Sequence, residues 1–219
     1  MTGTHGEPLL TATSLTVHTP AGEVFRPIDI HIPAGAVVAV VGDPDSGKSS
    51  LLLALTGRMR GVRGELKVDG VDGIAHPGRI RRLTSVARID ELVVPEGSLS
   101  IEDCITERGL ADACPARARL ANYLHTAGVL GLKAQLTTLY RQLTPADQTR
   151  AAIAFATIQP PKIVVLDDFD HGATLADQEQ LWNGLLALAA EGITVIAATT
   201  ERTTIPPEAM TIEMEAHHA

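Results

Sequence analysis

The sequence predicts an α/β fold with a mostly parallel core sheet, an N-terminal antiparallel β subdomain and an inserted helical subdomain over about residues 98–143. Three observations predict it. Apolar runs of strand length at residues 36–41, 163–166 and 194–198 are hydrophobic on both faces, as strands inside a parallel sheet are. Helical patterns alternate with them, as parallel crossovers require. A stretch near the start alternates in period two, which belongs to a sheet with one wet face.

The elements follow in order. Residues 9–17 and 24–32 read as strands joined by the turn Thr19-Pro20-Ala21-Gly22. Ile28, Ile30 and Ile32 alternate with Asp29 and His31. After Pro33-Ala34-Gly35 comes the buried strand 36–41, then a loop, then a helix over 48–57 that buries Leu51, Leu52, Leu53 and Leu55. Residues 64–70 form a short strand and turn. Residues 98–143 lack strand signals and are rich in Ala, Leu and Arg, with Ser100 and Asp103 spaced as a capping-box start. Helix 146–157, strand 163–166, helix 177–190 ended by Gly192, and strand 194–198 complete the core. Leu181 and Trp182 read as core residues on their helix.

Composition bounds the function. The chain has 219 residues, 45% of them hydrophobic and 3% aromatic, with a net charge of −8. That suits a single domain over 1–219 and excludes disorder. The acidic balance argues against nucleic acid as a partner. Cys104 and Cys114 lie in an ordinary polar stretch and read as reduced thiols. No signal core opens the chain, and no run approaches the ~20 apolar residues of a membrane span. Work at a membrane requires a partner that supplies the span. Eight basic residues fall between Arg58 and Arg88 and read as a solvated face or a contact with a partner loop. His217 and His218 have no ligand-spaced companions.

Gly42-Asp43-Pro44-Asp45-Ser46-Gly47-Lys48-Ser49 matches G-x-x-x-x-G-K-[ST] between a buried strand and a helix. This makes the expected fold a P-loop NTPase. A helix N-terminus offers unpaired N–H groups and partial positive charge to phosphate. Gly47 permits close approach, Lys48 supplies a point charge, and the Ser49 hydroxyl is a ligand for Mg²⁺. Gly42, Asp45, Ser46 and Ser50 complete the candidate nucleotide-binding set. Asp45 has to point away from the phosphates, because like charges repel. Pro44 removes one donor. A glycine-rich turn without a ligand is the bland alternative. Strand 163–166 runs into Asp167, the second candidate Mg²⁺ ligand, and Asp168 is the candidate for orienting an attacking water.

Over about residues 9–200 the chain resembles the nucleotide-binding subunit of ABC (ATP-binding cassette) transporters. The resemblance rests on the antiparallel strands, the phosphate loop, the strand-turn at 64–70, the helical stretch and Asp167-Asp168, in that order. It implies ATP and Mg²⁺ as cofactors. It also implies an integral membrane subunit and a second cassette, in a homo- or heterodimer, as partners. The location implied is cytoplasmic, at the inner face of the membrane. Counting back about 24 residues from Asp167 puts Leu143-Thr144-Pro145-Ala146-Asp147 on the family's LSGGQ signature.

Against that pattern both signature glycines and the glutamine are replaced. Asp168 stands for the catalytic glutamate, and Thr200 for the switch histidine. The glutamine after strand 85–87 falls on Ile89 or Asp90. The loop aspartate after Asp168 falls on Thr174 or, with a shift, on Asp177. Only His18 is positioned to stack on adenine, which implies weak discrimination between bases. The expectation is an ATP-binding subunit, a weak ATPase with no room for a regulatory extension. The alternative is a non-catalytic nucleotide-sensing or scaffolding P-loop protein. A kinase or GTPase fits less well, because no Asn-Lys-x-Asp motif is present and Asn occurs only at 122 and 183.

Overall fold

The computed structural model describes residues 8–89 and 92–215. Strand β1 (Leu10–Thr19) pairs antiparallel with β2 (Gly22–Glu23), β3 (Ile28–Ile32) and β5 (Val62–Val68), and β6 (Val71–Asp72) turns back to pair antiparallel with the end of β5. The second sheet is parallel throughout. Its order is β10 (Met210–Met214), β4 (Val37–Gly42), β9 (Thr194–Thr199), β8 (Ile163–Leu166) and β7 (Thr84–Arg88).

Period two divides the parallel strands between two cores. Val38, Val40, Val165 and Ile196 face the antiparallel sheet, with helix α1 (Lys48–Leu55) packed into the same core. Val37, Ala39, Val41, Val164 and Val195 face α5 (Pro145–Ala156) and α6 (Leu175–Ala190). Every residue of β4, β8 and β9 is therefore buried, as their unbroken apolar runs require. Leu51, Leu52 and Leu55 are fully enclosed. Truncating one of them to alanine costs about 2–5 kcal/mol through lost transfer energy and the cavity left behind. Leu181 and Trp182 lie in the second core, Trp182 against Phe169 with ring centroids 4.2 Å apart.

The helical region has its own core. Helices α3 (Ile101–Ala111) and α4 (Ala116–Val129), with the short 3-10 turn Tyr140–Gln142, pack on one face of α5. Ser100 caps α3 by the reciprocal pair its spacing predicts: its Oγ accepts from the Asp103 N–H, and its own N–H donates to Asp103 Oδ2.

Several expectations need correction. Residues 24–32 are not one strand; residues 24–27 leave the sheet and Phe25 turns into the core. Residues 194–198 are not the last core strand, because β10 adds an edge beside β4. Its exposed, alternating Thr and Glu residues hide it from a search for apolar runs. Helix α2 (Pro77–Leu83) has only Ile80 buried, so its pattern is too thin to read. Cys104 and Cys114 are free but buried in the helical core. Burial pushes the Cys104 thiol up to about 11, so it stays protonated. The basic residues between 58 and 88 do not form one solvated face, because Arg88 is buried and Arg58 half-buried. His217, His218 and Asp90 lie outside the described residues.

Candidate nucleotide site

The loop between β4 and α1 is a phosphate cradle by its backbone. Gly47 is the helix N-cap with φ 88°, no side chain caps α1, and no acid sits in its first turn. The N–H groups at that end and the positive end of the helix dipole therefore meet no competing side chain. Gly47 is required twice, once by its left-handed φ and once by Phe25, whose Cδ1 lies 3.1 Å from where a Cβ would stand. Sequence reading missed this support. The available signal was a lone aromatic before Tyr123.

Lys48 is 8% exposed, and its Nζ donates to the carbonyls of Gly42 at 2.8 Å and Asp43 at 2.7 Å. This holds the ammonium over the loop. Asp45 is exposed and sits at φ 63°, a conformation that aspartate tolerates better than most residues. Ser46 differs from expectation. Its hydroxyl is fully enclosed with no partner among the described residues, and its N–H donates back to Asp43 O at 3.2 Å. It supports the loop from inside. Ser49 is exposed and Ser50 half-buried at the start of α1.

Asp167 follows β8 at the same C-terminal edge of the sheet and is 2% exposed. Its Oδ1 accepts from the Asp168 N–H at 3.0 Å. Asp168 has φ 48°, so the chain turns sharply at the candidate catalytic position. A buried arginine fixes that turn. Arg88, at the end of β7, donates to the Asp168 carbonyl at 2.5 Å and more loosely to that of Asp167. Burial pushes the nearby Tyr140 phenol up to about 12, against the pull of Arg88. Arg88 was grouped with the surface basics because sequence carries no signal that separates a strand-end arginine from a solvated one.

The chemistry of this donor set fits a nucleotide phosphate chain with Mg²⁺. The α1 terminus and Lys48 suit phosphate, while Ser49 and Asp167 supply hard oxygens. Among the described residues no group of three His, Cys, Asp or Glu side chains is spaced for a metal. Phosphate oxygens and water would complete the coordination, as Mg²⁺ prefers.

The signature-like residues form the start of α5. Thr144 is its N-cap and accepts from the Asp147 N–H at 3.2 Å; Pro145 occupies the first helical position. Asp147 pairs with Arg150 at 2.8 Å. Leu143 and Ala146 are buried. Pro145 packs on Gly172, whose φ of 64° turns the loop after Asp168. Thr200 donates to Asp170 Oδ2 at 2.6 Å, and the Thr200 and Glu201 N–H groups reach the same oxygen. The loop after β9 is thus clasped by the loop after β8. Thr174 caps α6 and Asp177 is its reciprocal partner, so both candidates for the loop aspartate serve the helix start. Ile89 is buried and bridges Val93. His18 is half-buried near the end of β1, with Nδ1 enclosed and without a partner among the described residues.

A parallel sheet whose strand-loop-helix carries this cradle, with an acid following a neighbouring strand, defines a P-loop NTPase-type α/β protein. The comparisons then give the family. The sequence pattern of the ABC transporter family matches residues 25–170, and the chain belongs to that family. The cobalt import ATP-binding protein CbiO of Rhodobacter capsulatus is 30% identical over 88% of this chain and 70% of its own length. The lipoprotein-releasing system ATP-binding protein LolD 1 of Rhodopirellula baltica is 27% identical over 91% of this chain and 90% of its own. The solved structure of cbiO1 from Clostridium perfringens, part of the ABC transporter complex cbiONQ, superposes with a TM-score of 0.80 at 19% identity, covering 95% of this chain and 85% of that one. A bacterial ABC transporter cassette solved as a dimer superposes at 0.77 and 19% identity, over 94% of each chain. These two likenesses establish the fold.

Proposed function

We propose that the chain binds Mg-ATP and hydrolyses it slowly, as the ATP-binding subunit of a membrane transporter complex peripheral to the inner face of the membrane. The observation that carries this is the uncapped α1 terminus with Lys48 folded over its loop. ATP would lie along that terminus, with Mg²⁺ between its phosphates, Ser49 and Asp167. A second cassette and an integral membrane subunit would be the partners. The two relatives are named for different cargoes, cobalt and lipoprotein, so they support the subunit's role and not a substrate.

Slow turnover follows from what surrounds the phosphates. Asp168 is shorter than a glutamate, Thr200 has no ring nitrogen, and the Thr144 hydroxyl caps its own helix. Groups that act only on the transition state lower the rate when lost and leave binding largely intact. The test is calorimetric titration of ATP with Mg²⁺, followed by phosphate release. Absence of binding overturns the proposal, and turnover on the order of ten per second overturns its slow-hydrolysis part.

The acid in the first turn of α5 favours a second reading, a non-catalytic nucleotide sensor or scaffold. If the chain is a scaffold, a Lys48→Ala variant assembles and works unchanged; if it is a sensor, the variant assembles but no longer responds to nucleotide.

A further inference from the structure

Strand β7 does not end in register. Val86 pairs with Val165 but Arg88 with Leu166, so two steps on β7 oppose one on β8. A bulge of this kind re-aims the side chain beside it and is common next to active sites. Val86 and Ile89 lie in the first core and Ala87 in the second, so strict alternation stops at Arg88. Arg88 is 7% exposed, and its Nη2 donates to the Asp168 carbonyl at 2.5 Å, with the Asp167 carbonyl at 3.5 Å. The Tyr140 phenol is close enough to interact with it and donates to the Gln148 carbonyl at 3.2 Å.

The turn that Arg88 meets is unfavourable by itself. Asp168 has a left-handed φ of 48°, a conformation that costs an L-residue energy and persists where the surroundings impose it. Its neighbours are held by backbone bonds. The Asp167 N–H donates to the Arg88 carbonyl at 2.9 Å and the Phe169 N–H to the Ala198 carbonyl at 2.9 Å, and neither bond depends on the side chain at 88. The guanidinium acts on the residue between them.

We infer that Arg88 is a positioning residue for ATP hydrolysis: through the Asp168 carbonyl it holds the left-handed turn that aims the Asp168 carboxylate at the attacking water. The inference rests on the proposed slow hydrolysis and names a residue that supports it. In that step the water oxygen bonds to the terminal phosphorus, the bond to the bridging oxygen breaks with its electron pair leaving on ADP, and the proton shed by the water passes to solvent. A guanidinium suits the task because it is planar and always charged, and charge-assisted hydrogen bonds are about twice as strong as neutral ones. Lys48 and Asp167 are held by other bonds. Loss of the guanidinium should therefore slow the chemical step and spare ATP binding.

Arg88→Met and Arg88→Lys test this in the full chain, by single-turnover phosphate release and by calorimetric titration of ATP with Mg²⁺. Arg88→Met is expected to slow release about tenfold or more while the Kd stays within about threefold. Arg88→Lys keeps the charge without the planar fork and is expected to recover part of the rate. The slowing should disappear in an Asp168→Ala background, since residues that act as a unit are not additive. Thermal melting checks each fold. Should Arg88→Met not fold, Arg88→Lys carries the test, with a slowing of about threefold that is likewise absent beside Asp168→Ala. Without nucleotide, Trp182 reports the turn, because it is the chain's one tryptophan and its ring lies 4.2 Å from that of Phe169, the residue after Asp168. Its emission is expected to shift in Arg88→Met; an unshifted emission overturns the inference, because the turn then stands without the guanidinium. So does a rate loss that is the same with and without Asp168, or an ATP affinity that falls in step with the rate. The unaltered chain separates this from the underlying reading. ATP bound without any phosphate release overturns slow hydrolysis and the role of Arg88 with it, whereas release that Arg88→Met leaves unchanged overturns the role alone.

Discussion

The starts of α1 and α5 are both helix N-termini near the candidate site, and they are finished in opposite ways. At α1 the cap is Gly47, no side chain accepts from the first turn, and no acid neutralises the dipole. At α5 the Thr144 hydroxyl takes one N–H, Pro145 removes another, and Asp147 puts a carboxylate into the first turn. The left-handed cap at Gly47 (φ 88°) thus belongs to an anion acceptor, and the extended cap at Thr144 (φ −61°, ψ 156°) to a closed helix start. The side chains at the first four positions decide which, because they either leave the terminal donors to a ligand or satisfy them internally.

The largest effect expected is at the open terminus. Lys48→Ala should weaken ATP binding on the order of a hundredfold, the worth of a charge-assisted contact to phosphate. Unchanged affinity in calorimetry would break the comparison at its strong end. At the closed terminus the effect should fall on stability. Asp147→Asn leaves Arg150, which is 9% exposed at its side chain, without its ion pair. It should cost about 1–3 kcal/mol in chemical denaturation while ATP affinity holds. A loss of ATP affinity instead would mean that α5 also serves the nucleotide.

Asp167→Asn should reduce ATP affinity about tenfold in Mg²⁺ and much less in EDTA, because it removes the carboxylate charge that would help hold Mg²⁺. Equal loss in both conditions would assign Asp167 to the fold alone. ATP and GTP should bind within about threefold of each other, since base stacking on an aromatic is worth ~1–3 kcal/mol and the ring expected to stack is only the half-buried imidazole of His18. The smallest effect concerns α6. The Thr174 hydroxyl and N–H hold the Asp177 carboxylate below its usual range. A depressed carboxylate stabilises the fold above its unfolded pKa and loses that contribution as pH falls through the folded one. Thr174→Ala should therefore flatten the loss of stability below about pH 4. An identical acid limb in urea melts would remove the cap from the account.

Legibility followed the strength of the local signal. The runs at β4, β8 and β9 are apolar on both faces, so their burial could be read directly. The phosphate loop has fixed spacing, because backbone geometry around phosphate admits few solutions. Strand β10 and helix α2 were not legible, since each offers few buried residues. Of the basic cluster, sequence gave the charge and not the placement: Arg88 went inward to the Asp168 carbonyl, while Arg81 and Arg82 stayed outward.

By itself the sequence determined the parallel core, the loop that takes phosphate, the acid that follows β8 and the loss of the family's signature residues. Each of these is local, set by periodicity or by a few contiguous side chains. Only the tertiary structure decided that Phe25 supports Gly47, that Ser46 is turned inside its loop, and that Asp170 clasps Thr200. It alone brought Arg88, at the end of β7, to the turn after β8. Those contacts join residues that are distant in the chain. They exist because burying the sheet's two faces fixes which ends meet, and no pattern within one segment encodes that meeting.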